Sequence, residues 1–168
     1  MSIPVITIIA KSGSGKTTCM EKLIQELCRR GYRLATVKHH SHSGFEIDHP
    51  GKDSWRHARA GSRHVIIAAP DKIASYRLLD HELCLDEIIQ DVHDVDLILA
   101  EGYKRAGKPT IEVLRAEVGL ELIAEPDMLL AVITDTPVAV AAPQFSFNEI
   151  YAVADLIEAR FLNRQTKN

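Results

Sequence analysis

Residues Ala10-Lys11-Ser12-Gly13-Ser14-Gly15-Lys16-Thr17 restrict this chain more than any other stretch. They follow an apolar run, Ile3 to Ile9, that reads as a buried strand. They precede Met20, Leu23, Ile24 and Leu27, whose i, i+3, i+4, i+7 spacing is that of a helix face ending at Gly31. Strand, glycine-rich turn, Lys-Thr and helix together form a phosphate-binding loop, with Ala10 in place of the usual first glycine. Gly13 and Gly15 let the backbone curl so that successive N–H groups face an anion. Lys16 reaches the β/γ-phosphates, Thr17 offers a hydroxyl to Mg²⁺, and the helix dipole adds positive potential. Ser12, Gly13, Ser14, Gly15, Lys16, Thr17 and Thr18 are therefore the expected phosphate contacts. A turn that binds nothing has no need of the Lys-Thr pair.

The rest of the chain continues in the same alternation. Arg33 to Val37 reads as a strand ending in Lys38-His39-His40, and 41–53 as a loop rich in turn formers. Ser54 to Ala60 reads as a short helix, and Val65–Ala69 with Ile73–Leu78 as a hairpin around Pro70-Asp71-Lys72. A helix is expected over Glu82–Val92, strands over Val95–Glu101, Thr110–Leu114 and Leu129–Ile133, and a closing helix over Phe147–Phe161 capped by Ser146 or Asn148. The polar residues Asn163 to Asn168 read as a frayed end. This order predicts an α/β fold, a three-layer sandwich of the P-loop NTPase type with a mostly parallel, partly mixed sheet. At 168 residues it reads as a single nucleotide-binding domain, 1–168, with ligands at the carboxyl ends of its strands.

Composition narrows the partners. No apolar run approaches the ~20 residues of a membrane span, and the start lacks a signal peptide's basic and apolar regions, so a cytoplasmic protein is expected. Cys19, Cys28 and Cys84 form no C-x-x-C pair and read as reduced, mostly buried thiols. The net charge of −3 argues against nucleic acid, yet Arg29 to Arg63 holds eight basic residues against three acids. A basic segment in an acidic chain suits a small anionic ligand, although chance clustering on a solvated surface gives the same pattern.

Four further positions carry candidate chemistry. Glu101 ends an apolar strand as a Walker B acid does, holding Mg²⁺ directly or through water opposite Thr17; the alternative is a plain strand end. Asp48 and Asp53 lie in the loop after the second strand, where either can order an attacking water; Asp53 can equally cap the next helix. Asp135 follows Ala131–Thr134, where guanine-specific proteins place an acceptor for N1 and N2. The full N-K-x-D motif is missing, so a turn residue before Pro137 is the competing reading. His39, His40, His42 and His49 invite a metal site, but no cysteine or H-x-x-x-H helix accompanies them. Lys11 resembles the extra lysine of dimeric ATPases that reaches the partner's nucleotide, against a solvent-facing lysine.

Assembled, these residues resemble the MobB family, molybdopterin-guanine dinucleotide biosynthesis protein B. The resemblance rests on Ser12–Thr18, Val37-Lys38-His39, Asp48-His49-Pro50-Gly51-Lys52-Asp53-Ser54, Ala60-Gly61 and Leu97–Lys104, the Pro-Gly-Lys-Asp-Ser and Glu-Gly-Tyr-Lys stretches being more specific than the loop itself. It implies a dimeric GTP-binding protein with weak GTPase activity that assists the nucleotidyltransferase joining GMP to molybdopterin. GTP, Mg²⁺, molybdopterin or its guanine dinucleotide, and the guanylyltransferase are the implied ligands and partners. Lys38, Lys52 and Lys104 become candidate contacts for a pterin or nucleotide phosphate. Two other readings stay open: a small-molecule kinase using the same loop, and an adaptor that binds nucleotide and pterin without hydrolysis.

Overall fold

The computed structural model describes residues 2–40 and 44–162. The chain forms two compact units, one of Met1–His39 with Leu85–Asn168 and one of His40–Cys84.

The first unit is built on a six-stranded sheet in the order β2-β5-β1-β6-β7-β8. Its strands are β1 (Val5–Ala10), β2 (Leu34–Lys38), β5 (Leu97–Glu101), β6 (Thr110–Leu114), β7 (Leu129–Thr134) and the two-residue β8 (Gln144–Phe145). Every pairing in it is parallel. Parallel strands covered on both faces need apolar residues at every position, which is why β1, β5 and β7 read as continuous runs. Along β5 the faces separate cleanly. Leu97 and Leu99 join Ile6, Ile8, Leu23, Leu27, Ile133 and Ile157 in one core cluster. Ile98 and Ala100 join Val5 and Leu85 in a second.

Helices α1 (Lys16–Arg29) and α4 (Ile150–Phe161) cover the first face. Arg30 ties them together, donating to Glu26 at 2.8 Å, Asp155 at 2.6 Å and Glu158 at 2.8 Å. Leu85 of α3 (Leu85–Ile88) lies on the second face with half-buried Ile89, Val92, Val95 and Tyr103. Where β1 meets β6 the hydroxyls of Thr7 and Thr110 satisfy each other at 2.7 Å, so two buried polar groups cost the core little.

The second unit holds α2 (Asp53–Arg59) and an antiparallel hairpin, β3 (His64–Ala69) and β4 (Lys72–Arg77). The register pairs Ala69 with Lys72, so Pro70 and Asp71 alone form the turn and Lys72, expected in it, is the first residue of β4. This pair is a sheet of its own.

Several boundaries differ from the sequence-based expectation. The helix expected over Glu82–Val92 shortens to α3 and one 3₁₀ turn, Ile89–Asp91. Its only fully buried anchor is Leu85, and the chain leaves through Asp94 at φ 58°. The closing helix begins at Ile150, not Phe147, because the Phe147 ring packs beside the phosphate loop. Neither Ser146 nor Asn148 caps it; Glu149 stands at the N-cap and its carboxylate accepts the Ser146 N–H at 2.7 Å. Of the three cysteines only Cys19 is buried, while Cys28 and Cys84 are exposed. Asn163–Asn168 and His42 lie outside the described residues. No helix of the described chain is long and apolar enough to cross a membrane.

Leu23 is 1% exposed beneath the sheet. Leu23→Ala is expected to lower stability by about 2–5 kcal/mol in urea denaturation, through lost transfer energy plus a cavity.

Candidate functional site

The loop between β1 and α1 takes the shape its glycines allow. Gly13 and Gly15 stand at φ 84° and 87°, the left-handed region closed to most side chains. Ser14 N donates back to the Lys11 carbonyl at 3.3 Å, and Cys19 N makes its helical bond to Gly15 O at 3.1 Å. Gly15 is the N-cap of α1 and supplies no side-chain cap, and no acid occupies the first turn. The leading N–H groups of a 14-residue helix thus face outward uncapped, where an anion is favoured. Ser12, Thr17 and Thr18 are exposed; Ser14 is buried.

Glu101 is delivered to this loop by register. It pairs with Ile8 of β1 on one side and Lys38 of β2 on the other. The Lys16 ammonium donates to Glu101 Oε1, and Lys38 Nζ stands 3.8 Å from the same oxygen. Thr17, Lys38 and Glu101 line one cavity of ≈ 210 Å³ whose wall includes Met20, Ile24 and Val37. Its backbone support is tight: His39 N donates to Glu101 O at 2.9 Å, and Gly102 N donates to Ile8 O at 3.0 Å. At Gly102, φ 90°, a Cβ would lie 3.0 Å from His39 Cβ, which explains the glycine after the acid. The oxygen donors of Thr17 and Glu101, gathered on one cavity, suit Mg²⁺, a hard cation bound through few protein ligands.

The opposite side of the loop carries residues that the sequence pattern did not single out. Glu112 is fully buried in β6, yet both its carboxylate oxygens accept backbone N–H groups, from Ile123 at 2.8 and 3.1 Å and Ala124 at 2.8 Å. It pins the far end of the segment that leaves β6. Arg115 opens that segment, its guanidinium 4.5 Å from the centre of the Phe147 ring. A Cβ on Gly15 would lie 3.2 Å from Arg115 Nη2 and 3.6 Å from Phe147 Cε1, so Gly15 is needed for space as well as for φ. Lys11 is partly exposed, and its ammonium pairs at the surface with Glu121 of the same segment. Asp135 Oδ1 accepts the Ala116 N–H at 2.9 Å. Asp135 and Lys11 are the sequence candidates on this wall; for Glu112 the signal is an acid inside the apolar run Thr-Ile-Glu-Val-Leu.

In the second unit Asp48 is a clasp. Its Oδ1 accepts His49 N at 2.8 Å and Ser54 Oγ at 3.1 Å, and its Oδ2 accepts the Tyr76 hydroxyl at 2.9 Å. Partial desolvation pushes the carboxyl up, but those three hydrogen bonds prevail and hold it below the ordinary carboxylate range. Lys52, not Asp53, is the N-cap of α2. Asp53 is the first residue of that helix, exposed, 3.9 Å from Arg56. Lys104 and Lys52 are exposed. Asp96, at the other end of β5 from Glu101, is half-buried and bonded to the Arg33 backbone N–H at 2.7 Å. His40 packs edge-on against Phe45, and among the described residues no three His, Cys, Asp or Glu side chains gather as a metal site.

The family model described as "Molybdopterin guanine dinucleotide synthesis protein B", MobB, matches residues 5–135. The chain is 39% identical to the molybdopterin-guanine dinucleotide biosynthesis adapter protein of Haemophilus influenzae, over 93% of this chain and 88% of that one. Its identity to the adapter protein of the same description from Escherichia coli is 33%, over 92% and 91% of the two chains. A crystal structure of molybdopterin-guanine biosynthesis protein B superposes with a TM-score of 0.71 at 30% identity, covering 92% of this chain and 98% of the other.

The Asp48 clasp has a titration signature. Tyr76→Phe is expected to raise the Asp48 pKa, measured by carboxyl NMR. Because the folded pKa is depressed, the stability contributed by the clasp is present above the unfolded-state carboxylate pKa and is lost as pH falls through the folded one.

Proposed function

This chain belongs to the MobB family, and we propose that it acts as an adapter in molybdopterin-guanine dinucleotide biosynthesis: a GTP-binding accessory protein with slow GTPase activity. It assists the nucleotidyltransferase that joins GMP to molybdopterin. The observation that carries the nucleotide reading is the uncapped N-terminus of α1 with Lys16, Thr17, Lys38 and Glu101 converging beside it.

Within that reading the backbone N–H groups from Gly13 to Thr18 wrap the phosphates. Lys16 moves from the Glu101 carboxylate to the β/γ-phosphates, whose multiple charges outweigh one carboxylate oxygen. Lys38, already 3.8 Å from Glu101, adds a second cation on the same side. Thr17 and Glu101 would hold Mg²⁺, which would neutralise charge at the terminal phosphates. Hydrolysis needs an oriented water, for which Asp48 and Asp53 are the proposed carboxylates.

A second reading, an adaptor that binds nucleotide and pterin without turning nucleotide over, gains from the Asp48 geometry. That carboxylate already accepts three hydrogen bonds and is poorly placed to take a proton as well. Either way Lys38, Lys52 and Lys104 are the proposed contacts to a pterin or nucleotide phosphate. A cytoplasmic homodimer is part of the proposal. The second unit supports the dimer, with Ile73 73% and Ile66 60% exposed on one face of the hairpin, apolar side chains of the kind that association covers.

Lys16→Ala is expected to abolish GTP binding in calorimetry, and tight binding by that variant would remove the central claim. Glu101→Gln is expected to leave metal-free GTP binding in place while blunting its Mg²⁺ dependence. The same Mg²⁺ dependence in both proteins would reduce Glu101 to a strand end.

A further inference from the structure

A nucleotide whose terminal phosphates and metal lie on the β5 side of the loop, at Thr17 and Glu101, has to extend its base the other way, towards β6, β7 and α4. The parallel sheet places three side chains there, one after each successive strand: Arg115 after β6, Asp135 after β7 and Phe147 after β8. In parallel sheets such carboxyl ends are where ligands bind.

Arg115 is unusual among them. It is half-buried against Gly15, its guanidinium carbon sits over the Phe147 ring 4.5 Å from the centre, and among the described residues it makes no ion pair. Its Nε is buried and has no hydrogen-bond partner among the described residues, a condition that is costly for a charged donor and calls for an explanation. Both flanks are fixed. Val118 N and Gly119 N donate to the Arg115 carbonyl at 2.9 Å, and the next residue's N–H is held by Asp135 Oδ1 at 2.9 Å. That bond leaves Asp135 Oδ2 with no hydrogen bond among the described residues, and it holds the backbone of the residue next to Arg115.

We propose that Arg115, braced by Phe147, is a specificity residue for the guanine base, donating to the acceptor pair O6 and N7 while Asp135 Oδ2 accepts from N1–H and N2–H. Guanine alone among the common bases presents O6 and N7 as adjacent acceptors, the pair that a guanidinium reads in bidentate fashion. Adenine sets an N6 donor beside N7 and turns that contact repulsive. The pair thus serves the purpose for which the absent N-K-x-D motif is used elsewhere. Phe147 acts through Arg115 as a positioning residue.

This inference rests on the nucleotide reading above, and its test separates the two. Affinities of the full chain for GTP, 7-deaza-GTP and ATP are measured by calorimetry, in the unmodified protein and in Arg115→Gln. The expected result is that 7-deaza-GTP, which lacks only the N7 acceptor, binds the unmodified protein about tenfold more weakly than GTP. That penalty is expected to vanish in Arg115→Gln, where the preference for GTP over ATP also narrows. Equal affinity for GTP and 7-deaza-GTP in the unmodified protein overturns the assignment whatever Arg115→Gln does to folding, as does the same penalty in both proteins. In those cases GTP still binds and the nucleotide reading stands; no GTP binding at all overturns both.

Discussion

Strand β5 sets the terms for the rest of the first unit. It is paired along both edges and buried on both faces, so its register relative to β1 and β2 has almost no freedom. A slip of one residue would turn Leu97 and Leu99 from one core to the other and carry Glu101 away from the loop. Held in place, that register sets the last residue of β5 beside Lys38 and delivers its carboxylate to Lys16. Hydrophobic burial thus decides where the charges meet. The lysine of the loop is held on that carboxylate.

The same logic operates on the other side of the loop through a different device. Glu112 is a charge inside the sheet, and such a group is tolerated only when hydrogen bonds replace the water it lost. Three backbone N–H bonds from residues 123 and 124 do so. The outcome is a segment fixed at both ends, by Glu112 beyond and by Asp135 near its start, with Arg115 and Glu121 presented to Gly15 and Lys11. Gly15 is then constrained twice, once by its left-handed backbone and once by the guanidinium beside it. A phosphate loop is often treated as a self-contained turn; in this chain one wall of it comes from a distant strand.

Much of the architecture was legible before any coordinates. The apolar runs of β1, β5, β6 and β7 could be read because a strand buried on both faces leaves a continuous signature. The hairpin turn at Pro70-Asp71 could be read because turn residues carry their own backbone preferences. Boundaries governed by a single contact could not. The helix after Glu82 was overdrawn because only Leu85 anchors it. Phe147 to Glu149 continue the apolar and polar pattern of the closing helix, yet they lie outside it because the Phe147 ring packs by Gly15 and Arg115. Asp48 reads from sequence as a carboxylate able to order a water, and its three donors come from His49, Ser54 and Tyr76, the last of them 28 residues away.

For this protein the sequence alone determined that a phosphate loop would form after a buried strand, that Lys16 and Thr17 would stand at its end, and which family the chain resembles. These are local matters: glycine conformations, helix periodicity and contiguous motifs are written within a few residues. The tertiary structure alone decided what faces that loop. Lys38 and Glu101 meet Lys16 through strand register, Glu121 meets Lys11, and Arg115, Phe147 and Asp135 gather from three strand ends. Such meetings depend on packing between segments as far as 110 residues apart, and no short stretch of sequence encodes a distance across a sheet.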